Sequence, residues 1–365
     1  MSQETTILPG AEGASIARAV ELLAAGECGG MPTETVYGLA CDALNARAVA
    51  GVFSAKGRPS FDPLIVHVRD AEHAQSLAVF NATALRLAQQ FWPGALTLVL
   101  PRQRAVDGAQ GDGGAFVVPD LVTAGLDRVG LRVPDHAVAQ ALLEASGMAL
   151  AAPSANRFGS ISPTTAEHVA QELSGRVRCV LDGGPCRAGV ESTVVSVSAE
   201  GGEGPGQVEV LRLGATGVEA IERALPGVPV RVRASTSDPG KAQAQGLQAP
   251  ATSSRALPSP GMTDRHYAPR TRMCWVSGLA EAEAVARGGR WGLLALGEVP
   301  ADGGLFAQTR SLSESCDLSA AAARLFAVMR ELDAAGLDGI VAVLLPEVGL
   351  GRAINDRLRR ASVAE

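Results

Sequence analysis

The stretch MPTETVYGLACDALNARAVAGVFSAKGRPSFDPLIVHV, residues 31–68, is the most informative part of this chain for both fold and chemistry. It places hydroxyl side chains, a lysine, an arginine and a histidine between short apolar runs that are typical of buried strands. Of the 32 basic residues, only Lys56 and Lys241 are lysine. A lysine ammonium is a compact charge on a flexible stem, which can follow a phosphate through a reaction. The stretch therefore indicates polyphosphate chemistry.

Outward from this stretch, short apolar runs alternate with helical patterns over the first 215 residues. The strands are not separated by one helix each, so the sequence predicts a twisted mixed sheet rather than a regular doubly wound one. Strands are expected near 29–32, 63–68, 95–100, 129–133, 149–152, 177–181, 193–197 and 208–213. Helices are expected near 15–25, 46–55, 82–91, 135–146 and 164–173.

The composition changes after this α/β region. Between residues 233 and 260 the chain consists mainly of Ala, Ser, Gln, Pro and Gly, which is typical of a linker. We assign 10–215 to a first domain, 216–271 to a linker that includes SPGMTDRHYAP, and 272–365 to a smaller α/β, Rossmann-like domain. The last domain shows no motif to which chemistry can be assigned, so a lid or docking role is expected for it.

Composition also limits the function. The formal net charge is −6 and the pI is near 5.5, which argues against a broad cationic surface and a stable complex with nucleic acid. The six cysteines are scattered without CxxC pairs, as expected of a reduced cytoplasmic protein. We see neither a signal peptide nor an apolar run long enough to span a membrane, so no membrane association is expected.

The first candidate site begins at PTETVYG, residues 32–38. Lys56, Arg58, Asp62 and His67 follow, and all of them can converge with this motif at one end of the sheet. A site of positive and hydroxyl groups suits a triphosphate together with a small zwitterion. Two alternatives remain open, because threonines in a loop often bind their own backbone and a lone strand histidine is often a core residue.

Three further motifs carry polar groups at strand ends. Arg132 lies in an apolar strand of VGLRVPDH, so either an anionic ligand or an internal ion pair is expected. Ser154 and Asn156 lie in a loop before a helix, where backbone N–H groups and hydroxyls can bind an anion. Ser192, in ESTVV, follows a glycine-rich approach to another strand.

Together these motifs resemble a known family. PTETVYGL, SAKGRP with PLIVHV, FWPGALTLVL, GLRVPDH, APSAN followed by SPT, and ESTVV occur in this order over roughly residues 15–215. They are similar to the YrdC-like domain of threonylcarbamoyl-AMP synthases. SPGMTDRHYAP (259–269) and AINDRLRRA (353–361) resemble the long form, which carries a C-terminal accessory domain.

The resemblance implies an enzyme, a nucleotidyltransferase, that uses ATP, bicarbonate and L-threonine to make threonylcarbamoyl-AMP and pyrophosphate. The product then serves the tRNA threonylcarbamoyl transferase proteins, which modify the adenosine next to the anticodon. By the same resemblance, L-threonine would contact Thr35, His67, Arg132, the backbone at Ala152, and Ser192. ATP would contact Lys56, Arg58, Asp62, Arg128, Ser154, Ser162, Arg212 and Tyr267.

Two of these residues depart from the family. Asp62 replaces the usual asparagine, and its charge would repel a triphosphate unless it is protonated or bridged by a metal. Arg128 stands where the family usually has a smaller residue, so one alternative is that ATP contacts only the Arg128 backbone. We assign no general base and no metal ligands, because the reaction needs positioning and charge stabilisation, with Mg²⁺ brought by ATP.

Two other functions compete with this one. An RNA-binding module of the same fold is opposed by the acidic charge and the aromatic content of 4%. A carbamoyl-phosphate-dependent carbamoyltransferase would resemble hydrogenase-maturation proteins. Those carry zinc-finger cysteines and an acylphosphatase-like segment, which we do not see in this sequence.

Overall fold

The computed structural model describes residues 4–104, 117–198, 207–233, 256–261, 263 and 265–363. Within these residues, no helix is both long and apolar enough to cross a membrane. The predicted fold class, a mixed α/β sheet followed by a smaller α/β domain, is confirmed by the two sheets.

The large sheet has eleven strands in the described part of the chain, in the order β1-β8-β2-β3-β7-β4-β6-β5-β9-β10-β11. It is mixed, because β4 pairs with β6 in parallel whereas β5 pairs with β6 antiparallel. The strands are β1 (Thr6–Pro9), β2 (Gly29–Met31), β3 (Gly38–Asp42), β4 (Ile65–His67), β5 (Leu96–Pro101), β6 (Arg128–Arg132), β7 (Leu150–Ala151), β8 (Cys179–Asp182), β9 (Thr193–Val197), β10 (Val208–Arg212) and β11 (Val230–Val232).

Helices pack against this sheet, and α2 positions part of the site. The Asn45 side chain caps α2 by accepting from the backbone N–H groups of Arg47 and Ala48, and Gly57 ends the helix with a φ of 63°. The last residue of α2 is Lys56. The helices of this region are α1 (Gly13–Ala24), α2 (Ala46–Lys56), α3 (Ala71–Gln75), α4 (Ala82–Phe91), α5 (Asp120–Thr123), α6 (Ala137–Ser146), α7 (Ala166–Leu173) and α8 (Val218–Ala224).

The second sheet is parallel and has the strand order β12-β15-β13-β14. Its strands are β12 (Met273–Val276), β13 (Trp291–Ala295), β14 (Gln308–Ser311) and β15 (Gly339–Val343). Its helices are α9 (Leu279–Val285), α10 (Leu318–Asp333) and α11 (Leu350–Ala361). The strands β12, β13 and β15 fall on the apolar runs MCWV, WGLLAL and IVAVLL, whose composition is typical of buried strands.

The first sheet extends beyond the expected domain end at residue 215. Residues 216–232, which we assigned to the linker, contain α8 and β11, and β11 pairs in parallel with β10. Only three residue pairs join β11 to the sheet, and because Val230 is half-buried while Arg231 and Val232 are exposed, the sequence does not show the pattern of a buried strand. This part of the linker assignment is therefore corrected, while 234–255 lies outside the described residues.

The two domains share an apolar core. Buried Val36, Ile161 and Val190 from the first domain pack in one cluster with Leu325 and Phe326 of α10. Burial of such side chains contributes about 1.5–3 kcal/mol each, so the contact is a substantial part of the molecule's stability. The C-terminal domain is consequently packed directly against the part of the first domain that carries PTETVYG.

Candidate active site

The histidine and the arginine of the two predicted polar strands are neighbours. In the parallel pairing of β4 with β6, His67 lies opposite Arg132. Both side chains are buried. Partners in register project on the same side of a sheet, so the topology places an imidazole beside a guanidinium at the strand ends.

These two side chains face an open cavity at the end of the large sheet, and its empty volume, including adjoining open solvent, is about 540 Å³. Its walls come from the loop before β3, from β4, β6 and β10, from the loops at 152–154 and 191–192, and from the segment at 260–267. Nine residues that the sequence assigned to substrates line it, namely Thr35, Arg58, His67, Arg132, Ala152, Ser154, Ser192, Arg212 and Tyr267. All five residues assigned to L-threonine are among them.

Arg132 is held by three groups. Its Nε donates to the Gly94 carbonyl at 3.0 Å, one terminal nitrogen donates to the Thr35 hydroxyl at 2.8 Å, and the other forms an ion pair with Glu34. The internal ion pair that we left open therefore exists. A guanidinium has five N–H groups, so two remain for a ligand. We did not predict Glu34 as the partner of Arg132, because nothing in the sequence around this glutamate indicates a contact with a residue so far along the chain.

Ser192 also lines the cavity, just before β9. Its hydroxyl is 2.7 Å from the Thr97 hydroxyl. One terminal nitrogen of Arg212 donates to the Ser192 carbonyl at 2.8 Å and to the Ser192 hydroxyl at 3.3 Å. The hydroxyl and the arginine are thus fixed relative to each other. Ala152 donates its N–H to the Ile65 carbonyl at 3.0 Å, so a ligand contact there would use the Ala152 carbonyl oxygen.

His67 is a neutral imidazole at ordinary pH. Burial, and then the neighbouring Arg132 charge, lowers its pKa to about 3. Its Nδ1 is buried and has no hydrogen-bond partner within the described residues. An unpartnered nitrogen facing a cavity can bind a ligand, which the alternative of a satisfied core histidine does not explain.

Lys56 and Asp62 are placed differently from the expectation that both contact ATP. The Lys56 ammonium donates to the carbonyls of Ser154 and Asn156, and burial, followed by the Arg58 charge, lowers its pKa. Asp62 is fully buried, and its carboxylate lies 2.9 Å from the Arg58 guanidinium. Burial raises the Asp62 pKa while Arg58 opposes the rise. Neither side chain lines the cavity, because each is enclosed with an internal partner.

Arg128 and Ser162 also lie outside the cavity wall. The Ser162 hydroxyl is buried and donates to the Glu191 carboxylate at 2.7 Å. Arg128 donates to the carbonyls of Val99 and Val197 at 2.8 and 2.6 Å, across neighbouring strands. It lines a second open cavity, whose empty volume including open solvent is about 720 Å³ and which adjoins the first because Ile65 and Pro260 line both.

The segment before the second domain closes one side of the first cavity. Gly261, His266 and Tyr267 line the wall, and the Tyr267 ring stacks on Phe326 with ring centroids 5.6 Å apart. Tyr267 is buried at a φ of 63°, and its hydroxyl has no hydrogen-bond partner in the described part of the chain. In the predicted SPGMTDRHYAP motif, residues 262 and 264 lie outside the described residues.

The cavity is cationic and contains one carboxylate that the sequence did not predict. Arg58, Arg132 and Arg212 line it, and Glu191 is the one acidic residue of its described wall. Glu191 accepts from Arg357 of α11 at 3.1 Å. Sequence patterns do not indicate this pair, because its two residues lie 166 positions apart. The arrangement suits polyanion binding with several hydroxyls around a small polar ligand.

Comparison with known proteins identifies relatives over the whole length. The Sua5_yciO_yrdC family model, described as "Telomere recombination", matches residues 21–214. The model "Threonylcarbamoyl-AMP synthase, C-terminal domain" matches residues 217–363. The first model covers the cavity residues up to Arg212, and the second covers the linker and α11.

Individual relatives agree with these matches. Threonylcarbamoyl-AMP synthase of Pyrococcus abyssi is 37% identical over 344 residues, which is 91% of this chain and 89% of the relative. Its counterpart in Bacillus subtilis is 37% identical over 356 residues, or 95% and 92% of the two chains. The solved structure of P. abyssi Sua5 complexed with L-threonine superimposes with a TM-score of 0.80 at 34% identity, covering 98% of this chain and 97% of that one. This chain therefore belongs to the threonylcarbamoyl-AMP synthase family.

Proposed function

We propose that the 540 Å³ cavity is the place where this chain makes threonylcarbamoyl-AMP from ATP, L-threonine and bicarbonate. The observation that carries the proposal is the convergence of all five threonine-assigned residues on one buried cavity, with His67 beside Arg132. The names of the relatives support the product, and the P. abyssi structure with L-threonine supports one substrate.

L-threonine would bind at the Arg132 side. The two free N–H groups of Arg132 suit its carboxylate, since Glu34 and Thr35 already orient the guanidinium. The neutral His67 and the hydroxyls of Thr35 and Ser192 would receive the amine and the side-chain hydroxyl. A neutral imidazole can approach an ammonium without repelling it, which suits a zwitterionic substrate.

ATP would bind along the remaining wall. Arg58 and Arg212 provide positive charge for the phosphates, and Ser154 provides a hydroxyl. The second cavity, next to Arg128, offers room for the nucleoside. In this proposal Lys56 and Ser162 support the site through Ser154 and Glu191 respectively.

The chemistry needs two bond-forming steps. The threonine amine condenses with bicarbonate to a carbamate, releasing water, and a carbamate oxygen then attacks the α-phosphorus while pyrophosphate leaves. No protein nucleophile takes part. The residues of the cavity bring the reactants together and stabilise the charge on the phosphates, which are the two effects that phosphoryl transfer mainly requires.

Mg²⁺ is proposed to accompany ATP. The described residues contain no group of three or more His, Cys, Asp or Glu side chains that could hold a metal ion. Asp62, the carboxylate that we considered for this role, is paired with Arg58. The side chains of the described wall thus do not form a metal site.

We further propose a cytoplasmic location and a protein acceptor. All six cysteines are free, as a reducing compartment would maintain them. The product is a reactive mixed anhydride, so the protein that is its consumer must bind it before water hydrolyses it. The tRNA threonylcarbamoyl transferase proteins would be that consumer. Their tRNA would bind to them and not stably to this acidic chain.

The segment 259–269 is proposed to act as a lid. Leu257, just before the segment, donates its N–H to the Phe61 carbonyl, and Arg212 donates to the carbonyl of Pro260 within it at 3.1 Å, so the start of the segment is attached to the first domain beside the cavity. Tyr267 then closes the wall from the side of α10. Such a lid would exclude water from the carbamate and the adenylate.

Pyrophosphate release from ATP tests the proposal. We expect strict dependence on both L-threonine and bicarbonate. Arg132→Met should raise the threonine KM at least about tenfold and the ATP KM much less, because a charge-assisted contact contributes about 1.5–3 kcal/mol. Arg187→Met, which removes an exposed arginine paired with Asp135, is the matched control and should leave both values unchanged.

Three results would contradict the proposal. Equal effects of Arg132→Met on both KM values would mean that Arg132 serves the internal ion pair alone. Turnover with carbamoyl phosphate in place of bicarbonate and threonine would favour the carbamoyltransferase. Salt-dependent RNA binding without ATP turnover would favour the RNA-binding module.

A further inference from the structure

In the described part of the chain, three arginines of the C-terminal helices form ion pairs with glutamates of the first domain, so these pairs have the same polarity. In each pair the arginine comes from α10 or α11 and the glutamate from the first domain. The pairs are Arg330 with Glu172, Arg352 with Glu219, and Arg357 with Glu191. Of the three glutamates, only Glu191 lines the 540 Å³ cavity.

The Arg357–Glu191 pair is also the most deeply buried of the three. Its side chains are 0% and 8% exposed, whereas those of the Arg352 pair are 27% and 46% exposed. Taking two charges out of water is costly, and the cost is offset only by good geometry and further hydrogen bonds. A pair retained at this depth beside a ligand cavity therefore calls for a reason other than domain docking.

Glu191 connects the pair to the substrate wall. One carboxylate oxygen accepts from Ser162 at 2.7 Å, and the other accepts from Arg357 at 3.1 Å. The next residue is Ser192, which Arg212 contacts through both carbonyl and hydroxyl. Arg357 thus fixes the carboxylate, and the carboxylate fixes the start of the strand that carries a substrate-assigned serine.

Arg357 is itself held firmly. It forms a second ion pair with Asp356 at 3.0 Å, and its guanidinium carbon lies 5.3 Å from the centre of the Tyr267 ring. It does not line the cavity. Its influence on a ligand must consequently act through Glu191 and Tyr267, both of which do.

Charge gives this arrangement a consequence for ATP. A triphosphate beside Arg212 would meet the negative charge of Glu191, and because the Glu191 side chain is only 8% exposed, such repulsion is weakly screened. The guanidinium of Arg357 neutralises that charge from the side away from the ligand. We propose that Arg357 is a positioning residue of the active site, which neutralises and fixes Glu191 so that ATP can bind beside Ser192. The inference rests on the proposed assignment of the cavity, and it makes the active site incomplete without the C-terminal domain.

The experiment is a double-mutant cycle in the full chain, read as steady-state KM values for ATP and threonine in pyrophosphate release. Arg357→Met should raise the ATP KM about tenfold or more, with a smaller change for threonine, because it leaves Glu191 buried and unneutralised. Glu191→Gln removes the negative charge and keeps a side chain that can accept hydrogen bonds, so its own ATP KM is the reference for the double variant. In the Glu191→Gln background, Arg357→Met should change the ATP KM by less than about twofold, since there is no charge left to neutralise.

Arg330→Met is the matched control, because it removes an interdomain ion pair of the same polarity away from the cavity. It should leave both KM values unchanged. If Arg357→Met is insoluble, the comparison of the double variant with Glu191→Gln still decides the question. A tenfold difference between those two, or equal effects of Arg330→Met and Arg357→Met, would overturn the inference in favour of simple docking.

The cycle also separates this inference from the proposed function. If Arg132→Met leaves the threonine KM unchanged, the cavity assignment itself fails. If Arg132→Met acts as expected and Arg357→Met leaves the ATP KM at the wild-type value, only the positioning role of Arg357 fails.

Discussion

At the scale of single residues, burial makes Lys56 a support of the site. Its ammonium is enclosed and bonds to the carbonyls of Ser154 and Asn156, so its charge holds the loop that carries a phosphate-assigned serine. This differs from the direct phosphate contact that the composition of the chain suggested. The two roles make different predictions for the same variant.

Lys56→Met should lower both stability and ATP binding. Loss of charge-assisted hydrogen bonds that leaves carbonyls buried costs on the order of 1.5–3 kcal/mol, and the displaced loop should raise the ATP KM about tenfold. Lys56→Arg should rescue neither, because the longer planar guanidinium does not fit an enclosed ammonium site. Urea unfolding and pyrophosphate release check these outcomes. A raised ATP KM at unchanged stability would restore the direct phosphate contact.

His67 gives a prediction about pH. Its pKa is about 3 in the folded protein, below the ordinary value of 6.5, so at mildly acidic pH the unfolded chain binds a proton that the folded chain does not. Its contribution to stability is present above pH 6.5 and is lost as pH falls from there toward 3. Each pH unit in this window costs about 1.4 kcal/mol.

His67→Gln should therefore reduce the loss of unfolding free energy between pH 7 and pH 5 by roughly 2 kcal/mol relative to wild type. Urea unfolding at the two pH values measures this. His168 and His266, whose pKa values burial also lowers, are present in both proteins and cancel in the comparison. An identical pH dependence in the two proteins would show that His67 titrates normally.

At the scale of elements, the apolar runs predicted the strands that build the site. The order and register of those strands then bring the site residues together. The run at 63–68 contains β4 and the run at 129–133 overlaps β6, and the parallel register of these strands sets His67 opposite Arg132. The strand β3 was missed, because GLACD is a run of small residues without alternation. The short strand β1 was missed in the same way, since four residues are too few for a periodic signal.

Side-chain partners were harder to predict than strands. The cations of the site stand out in the sequence because each interrupts an apolar strand or follows a helix. The acids that balance them do not stand out, because Glu34 and Glu191 lie in loops and meet partners far along the chain. Sequence pattern reports local burial, whereas the charge balance of the cavity depends on contacts between distant segments. Asp62 is another example. From the sequence alone we expect its carboxylate to repel a triphosphate, whereas its ion pair with Arg58 balances that charge.

At the scale of the whole molecule, the two domains meet at a glycine close to the cavity. Gly189 has a φ of 67°, and a Cβ at this position would lie 2.3 Å from the Ala322 carbonyl oxygen and 2.4 Å from the Ala323 Cα, both in α10. These are backbone atoms of a helix, which cannot move aside individually. The close approach of the domains therefore depends on the missing side chain, two residues before Glu191.

Gly189→Ala should separate α10 from the first domain and reduce activity. The separation would loosen the contact of Arg357 with Glu191 and of Phe326 with Tyr267, so we expect a higher ATP KM, by at least about tenfold, and faster cleavage of the linker by protease. Gly147→Ala is the matched control, because Gly147 has a φ of 64° but no atom within 4 Å of a Cβ. Both variants carry a similar backbone penalty, about 1 kcal/mol, and only Gly189→Ala adds the clash between domains. If the two variants lose the same activity and resist protease equally, the docking of the C-terminal domain has no influence on ATP binding. A selective loss in Gly189→Ala would instead mean that the site depends on how closely α10 and α11 approach the first domain.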